Sequence, residues 1–195
     1  MTIRYKCILA DPPWEELGGQ PLDPSWGGGK RGADQHYPTM RVDEIAAIPV
    51  YKWVRRDTHL WLWVTDQFLP DGLKVMGRWG FRYVRTMVWH KQRNGKTQIG
   101  LGQYLRGSHE ICLFGVRGSL PYARKADGSR LAIPSVFVAE RTKHSRKPEE
   151  SYNIIEQVSP GPRLELFARQ EREGWDAMGD EVDGTVFGRQ QGSLL

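Results

Sequence analysis

The sequence is poor in cysteine: Cys7 and Cys112 are the two among 195 residues. That excludes a disulfide-stapled scaffold. Both lie in apolar, strand-like runs, where reduced buried thiols of a cytoplasmic protein are expected. The five histidines, His36, His59, His90, His109 and His144, show no ligand spacing with the cysteines, so no metal is expected. No apolar run is long enough to cross a bilayer, and Met1-Thr-Ile-Arg-Tyr-Lys6 lacks the apolar centre of a signal peptide. No nicotinamide fingerprint joins a strand to a helix; the glycines at 27, 29 and 32 fall inside a long loop. A phosphate loop there would need glycine at 24 and Ser or Thr at 31, where the chain has Pro24 and Arg31. There is no internal repeat and no linker-like stretch, so one domain over 1–195 is expected.

What is present is a basic, aromatic-rich chain. The net charge is +5, with eight tryptophans. The charge favours an anionic partner such as nucleic acid, and the aromatic share opposes disorder.

The chain is organised around Asp11-Pro12-Pro13-Trp14. The apolar run Cys7-Ile8-Leu9-Ala10 before it reads as a buried parallel strand. In open α/β sheets, ligands sit just beyond the carboxyl ends of such strands. Two prolines remove two backbone donors and stiffen the turn. Its carbonyls can then face a cleft, beside the Asp11 carboxylate and the Trp14 ring. The set suits a planar group bearing an exocyclic NH2, with two acceptors for its protons and a face for its ring.

Asp-Pro-Pro-Trp is the signature of adenine-N6 methyltransferases that use S-adenosylmethionine (SAM). The chain resembles the eukaryotic mRNA adenosine methyltransferase family and its bacterial and phage relatives from about Ile8 to Glu181. Matching stretches include Tyr37-Pro-Thr-Met40, Leu60-Trp-Leu-Trp-Val64, Glu110-Ile-Cys-Leu113, Lys147-Pro148-Glu149 and Leu164-Glu-Leu-Phe167. The resemblance implies a Rossmann-like α/β fold with a mostly parallel central sheet flanked by helices and a permuted motif order. It implies Asp11, Pro12, Pro13 and Trp14 as the catalytic motif, with Tyr37 and Glu110 near the target base. For SAM it implies Asp11, Lys147 at the methionine carboxylate, Phe167 and Arg169 at the adenosine, and Asp180 and Glu181 at the ribose. Here the chain departs from the mRNA enzymes. Arg169-Gln170-Glu171-Arg172 stands for their Arg-Pro-His-Asn, and Asp180-Glu181 for their Asn-Gln. The chain also begins close to the first strand, without the upstream segment that there helps hold the cofactor's adenine.

The rest reads as alternating strands and helices. Strands are expected at 4–10, 59–64, 83–89, 109–116, 135–139 and 163–168. Helices are expected at 42–48, at 66–79 with Leu69, Leu73 and Met76 on one face, and from Pro148 with Tyr152, Ile155 and Val158 buried. The glycine-rich loop from Glu15 to His36 is expected to act as a lid. The stretch from His90 to Ser108, carrying Lys91 and Arg106, is expected to contact nucleic acid. DNA is the favoured substrate and RNA the alternative. A silent nucleic-acid-binding subunit, a homodimer and a partner subunit stay open.

Overall fold

The computed structural model describes residues 4–15, 39–100, 104–121, 124–141, 146–185 and 187. The expected lid and Tyr37 lie outside them.

The element order is β1 (Tyr5–Ala10), α1 (Val42–Ala47), β2 (Val54–Val64), α2 (Leu69–Arg78), β3 (Arg82–Arg93), β4 (Lys96–Thr97), β5 (His109–Arg117), β6 (Val136–Glu140), α3 (Glu149–Val158), β7 (Arg163–Leu166) and β8 (Asp176–Met178). All eight strands join one sheet in the order β4-β3-β5-β2-β1-β7-β8, with β6 paired to β3. β1 runs parallel to both β2 and β7, and β7 to β8. β5 alone separates β2 from β3 and runs against both.

Sequence alternation decides which side chain meets which layer. Ile8, Ala10, Leu60, Leu62, Leu113, Leu164 and Leu166 face α1 and α2, where they meet Ile45, Val75 and Trp79. Cys7, Leu9, Trp61, Trp63, Met87, Trp89 and Cys112 face the α3 side, with Tyr152 and Ile155. The run Cys7–Ala10 is buried on both faces, as a central parallel strand requires. Both cysteines are free and buried, and burial pushes the Cys7 thiol up to about 12.

Two boundaries differ from expectation. The 66–79 segment opens with a 3-10 turn, Asp66–Phe68, before α2. That offset rotates the buried stripe to Gly72, Val75 and Met76 and leaves Leu69 and Leu73 partly exposed. Gly72 is where α2 meets the sheet: a Cβ there would lie 2.5 Å from Val64 Cγ1. The polar stretch after Trp89 is also more ordered than a solvated excursion. β3 continues to Arg93 and turns at Asn94-Gly95 into β4. Both turn N–H groups donate to the Glu140 carboxylate, each at 3.0 Å.

Candidate active site

Three sequence elements deliver carboxylates and cations to one edge of the sheet. β1 ends at Ala10, which places Asp11 just beyond its carboxyl end. β5 runs the other way, so its first residues, His109 and Glu110, lie at that same edge. Lys147 precedes α3, whose Pro148 cap is extended and whose first turn carries Glu149 and Glu150.

The Lys147 ammonium sits 2.7 Å from Asp11 Oδ2 and 3.3 Å from Glu110 Oε2. Glu110 Oε1 lies 2.5 Å from Lys91 Nζ. The order is therefore Asp11, Lys147, Glu110, Lys91, with alternating sign. Lys147 lies over the Trp63 ring at 5.1 Å, and its side chain is 10% exposed. Burial pulls its pKa down, but Asp11 and Glu110 outweigh that and hold it above the usual lysine value. For Glu110, burial pushes up and Lys147 and Lys91 pull further down, leaving its carboxyl below its usual value. Each charge in the chain is fixed by a neighbour of opposite sign, which an unpaired buried ion could not be.

The turn after β1 is pinned from both sides. Trp14 N–H donates to the Pro12 carbonyl at 2.9 Å, and Met40 N–H donates to the Pro13 carbonyl at 2.7 Å. The Trp14 ring differs from the expected open platform. It is 5% exposed, stacks on Phe68 at 5.5 Å, and donates its Nε1–H to the Trp63 carbonyl at 3.0 Å. A large apolar ring with a polar tip is more stable in this position than in water, so Trp14 anchors the turn. Lys91 also differs from the expected surface contact, because its charge is held by Glu110 inside the cluster. Arg106 is exposed on the 98–108 connection.

The last strands bring a second group to the same edge. Phe167, directly after β7, has φ of 63° and packs on Phe187 at 4.6 Å. A left-handed aromatic residue at a strand end marks a locally strained turn. Arg169, Asp180 and Glu181 are exposed beyond β7 and β8. Gly179 lies so close to β7's end that a Cβ there would overlap the Ala168 carbonyl oxygen. Asp183 accepts from the N–H groups of Gly179 and Thr185, each at 3.0 Å, and orders that turn.

Sequence reading missed Glu165, Tyr152, Arg172 and Trp63. Glu165 pairs with Leu9 in register, on the α3 face, and accepts from the Tyr152 hydroxyl at 2.9 Å. Burial pushes its carboxyl up to about 7, and the charge of Asp11 adds to this. The Arg172 guanidinium lies 3.7 Å from the Tyr152 ring centroid and grips Glu149 with both terminal nitrogens. The available signal was an acid inside the apolar run Leu164-Glu165-Leu166, a position acids rarely take without a task.

Two buried polar atoms near the end of β2, Trp63 Nε1 and Thr65 Oγ1, have no hydrogen-bond partner among the described residues. Such orphans mark a place for a polar ligand. Among the described residues no group of three or more His, Cys, Asp and Glu is arranged to hold a metal. A cavity of about 670 Å³ lies elsewhere, at the opposite edge, lined by Trp61, Phe114, Leu120 and Ile133. None of the four clustered charges borders it. No helix among the described residues is long and apolar enough to cross a membrane.

With this geometry in hand, sequence comparison decides the family. Residues 5–181 match the MT-A70 family over nearly the whole chain. The chain belongs to the MT-A70 family. The MT-A70 fold is the Rossmann-like methyltransferase fold, in agreement with the central sheet seen here. The chain is 33% identical over 193 residues to a putative N(6)-adenosine-methyltransferase MT-A70-like of Medicago truncatula, covering 93% of this chain and 27% of that protein. It is 31% identical over 194 residues to the N(6)-adenosine-methyltransferase catalytic subunit METTL3 of Homo sapiens, covering 93% and 29%. It is 29% identical over 191 residues to the type II methyltransferase M.MunI of a Mycoplasma species, covering 92% and 78%. The chain thus spans about a quarter of the length of the plant MT-A70 relatives it matches, which cover 27%, 23% and 24%.

Proposed function

We propose that this MT-A70 chain transfers a methyl group from SAM to the exocyclic N6 amine of adenine in nucleic acid, with DNA as the substrate. The observation that carries the reading is the Asp11 carboxylate, held at the carboxyl end of β1 by a buried lysine and adjoining a second acid, Glu110. The human relative named above is an N(6)-adenosine-methyltransferase catalytic subunit, and the Medicago relative carries the same activity in its name as a putative one. M.MunI, a type II methyltransferase matched over 78% of its length, supports DNA over RNA.

SAM supplies, when bound, an electrophilic methyl group on a sulfonium. The residues present fit it. The Trp63 indole N–H and the Thr65 hydroxyl are buried and unpaired among the described residues, Lys147 is a cation for a carboxylate, and Asp180 and Glu181 offer acceptors to ribose hydroxyls. Phe167 and Arg169 stand at the adenosine side of that assignment.

The amine of adenine is a weak nucleophile because its lone pair is delocalised into the ring. Asp11 accepts one amine proton in a hydrogen bond, and the Pro12 carbonyl accepts the other. The Pro12 oxygen already receives Trp14 N–H, so its second lone pair serves. Two acceptors favour a more tetrahedral nitrogen and aim its lone pair. Catalysis then comes from positioning and fixed charge, and neither buried cysteine takes part. Glu110 borders the base and steers Lys147 toward Asp11.

The test is transfer from labelled SAM to single- and double-stranded DNA and RNA, with the modified nucleoside identified by mass. N6-methyladenine on DNA, abolished in Asp11→Ala with the fold retained, is the expected result. Product on RNA alone reassigns the substrate. Full turnover by Asp11→Ala removes the mechanism.

A further inference from the structure

The cavity of about 670 Å³ that lies away from the charge cluster is floored by the α3 face of the sheet. Two cross-strand rows make the floor. Trp61, Phe114 and Arg85 stand opposite one another on β2, β5 and β3, and His59, Val116 and Arg82 form the next row. Ile154 of α3 and Ile133 of the connection before β6 close the sides. β6 joins β3 only from Val88 on, which leaves the 82–87 edge open to this space.

A β-bulge brings both arginines there. Along a regular strand, residues 82 and 85 face opposite sides of the sheet. Here β3 carries one extra residue between Tyr83, opposite Gly115, and Arg85, opposite Phe114. The parity changes, and Arg85 joins Arg82 on the α3 face. Both are exposed, and neither has an ion-pair partner among the described residues. No Asp or Glu lines the cavity.

The ring wall is preformed. The Trp61 and Phe114 centroids lie 4.5 Å apart, and His59 meets Phe114 edge-on at 5.0 Å. The Leu120 carbonyl can only accept, so His59 Nε2 carries a proton and donates to it at 2.9 Å. Burial holds the His59 pKa below its usual value, so the ring is neutral and Nδ1 accepts. Its donor is the Ser159 hydroxyl at 3.0 Å, which in turn accepts from Trp61 Nε1–H at 2.9 Å. Every polar atom of these rings is spent, and the wall offers a ligand apolar surface alone.

We propose that this cavity binds a planar aromatic carboxylate, its apolar ring along the Trp61–Phe114 wall and its anionic end at Arg82 and Arg85. The site is independent of the methyl transfer proposed above, since none of the four clustered charges borders it. Three arguments favour it. The volume is that of a small-molecule pocket, lined by apolar and aromatic side chains with a few polar groups at one end. Two arginines without an acid select an anion, and the guanidinium fork matches a carboxylate. A ring with polar edges, such as a nucleobase, would bury donors and acceptors against rings that have none to return.

The test titrates the full chain, by calorimetry, with 2-naphthoate, with 2-naphthalenemethanol, which has the same ring and no charge, and with AMP. Two variants accompany wild type: Arg82→Gln/Arg85→Gln, which removes the charges from exposed positions, and Ile133→Trp, which fills the space from the side. The expected result is one-to-one binding of 2-naphthoate, about 10-fold or more tighter than the alcohol. The arginine variant loses that advantage and changes the alcohol by less than about 2-fold, and Ile133→Trp weakens both. Absence of 2-naphthoate binding overturns the proposal, as does equal affinity for acid and alcohol. AMP binding as tightly as 2-naphthoate overturns it in favour of a nucleotide site. Binding that saturating SAM abolishes, or that both variants leave intact, places the ligand elsewhere and overturns it too.

Discussion

Lys147→Met replaces the buried cation with an apolar side chain of similar length and leaves Asp11 and Glu110 facing one another. At an effective dielectric of about 20, unit charges 2.7 and 3.3 Å apart attract by roughly 6 and 5 kcal/mol. The cost of burying the ions cancels much of this, and breaking a buried pair by removing one partner costs about 3–5 kcal/mol. The side chains involved are 10%, 27% and 23% exposed, so that range applies with little screening. The pH dependence follows from the shifts. Glu110 lies below its ordinary 4.5, so its contribution is present above that value and is lost as pH falls through the lowered one. Lys147 lies above its ordinary 10.5, so its contribution is full below that value and fades as pH rises past it. Wild type should hold a plateau between about pH 5 and 10 from this cluster. In the variant Glu110 keeps Lys91 alone and faces a carboxylate no longer screened by Lys147, so acid relieves the repulsion and the gap to wild type narrows as pH falls toward 5. Urea unfolding at several pH values measures it. A variant as stable as wild type at pH 7, or a gap that does not shrink in acid, refutes the reasoning.

Three further outcomes are expected. Glu165→Gln should flatten the stability curve: the carboxyl rises from 4.5 to about 7 on folding, so wild type loses about 3 kcal/mol as pH climbs through that window and the variant does not, by thermal melts against pH. Trp14→Ala should cost about 3–5 kcal/mol in urea unfolding, since the ring is buried and stacked; a cost under about 1 kcal/mol would show that it is not an anchor. Gly179→Ala should lower stability by about 1–3 kcal/mol and weaken SAM binding in calorimetry, because backbone must move to admit the methyl group; unchanged affinity would place the cofactor elsewhere.

The strands that bury both faces were legible because their residue types leave no other reading: Cys7–Ala10 and Leu60–Val64 are apolar throughout. So was the approach of Asp11 to a sheet edge, since a proline pair ends its strand. The Asp11–Lys147 contact was not legible. It spans 136 positions and depends on which strands are neighbours. The fate of Trp14 was also hidden, because a tryptophan serves equally as a platform or a core ring until Phe68 is seen beneath it. Glu110 and Lys91 meet because β5 is reversed between β2 and β3, and strand direction is not written in an apolar run.

The central place of β1 has a consequence for synthesis on the ribosome. One of its two neighbours, β7, follows it by 156 positions, Cys7 pairing with Arg163. At 5–20 residues per second that neighbour is absent for roughly 8–30 s. During that interval one side of an apolar strand is an open template for another chain. By the same spacing Asp11 gains Lys147 only 136 positions after it is made, so the nascent chain is sticky before the charge cluster is assembled.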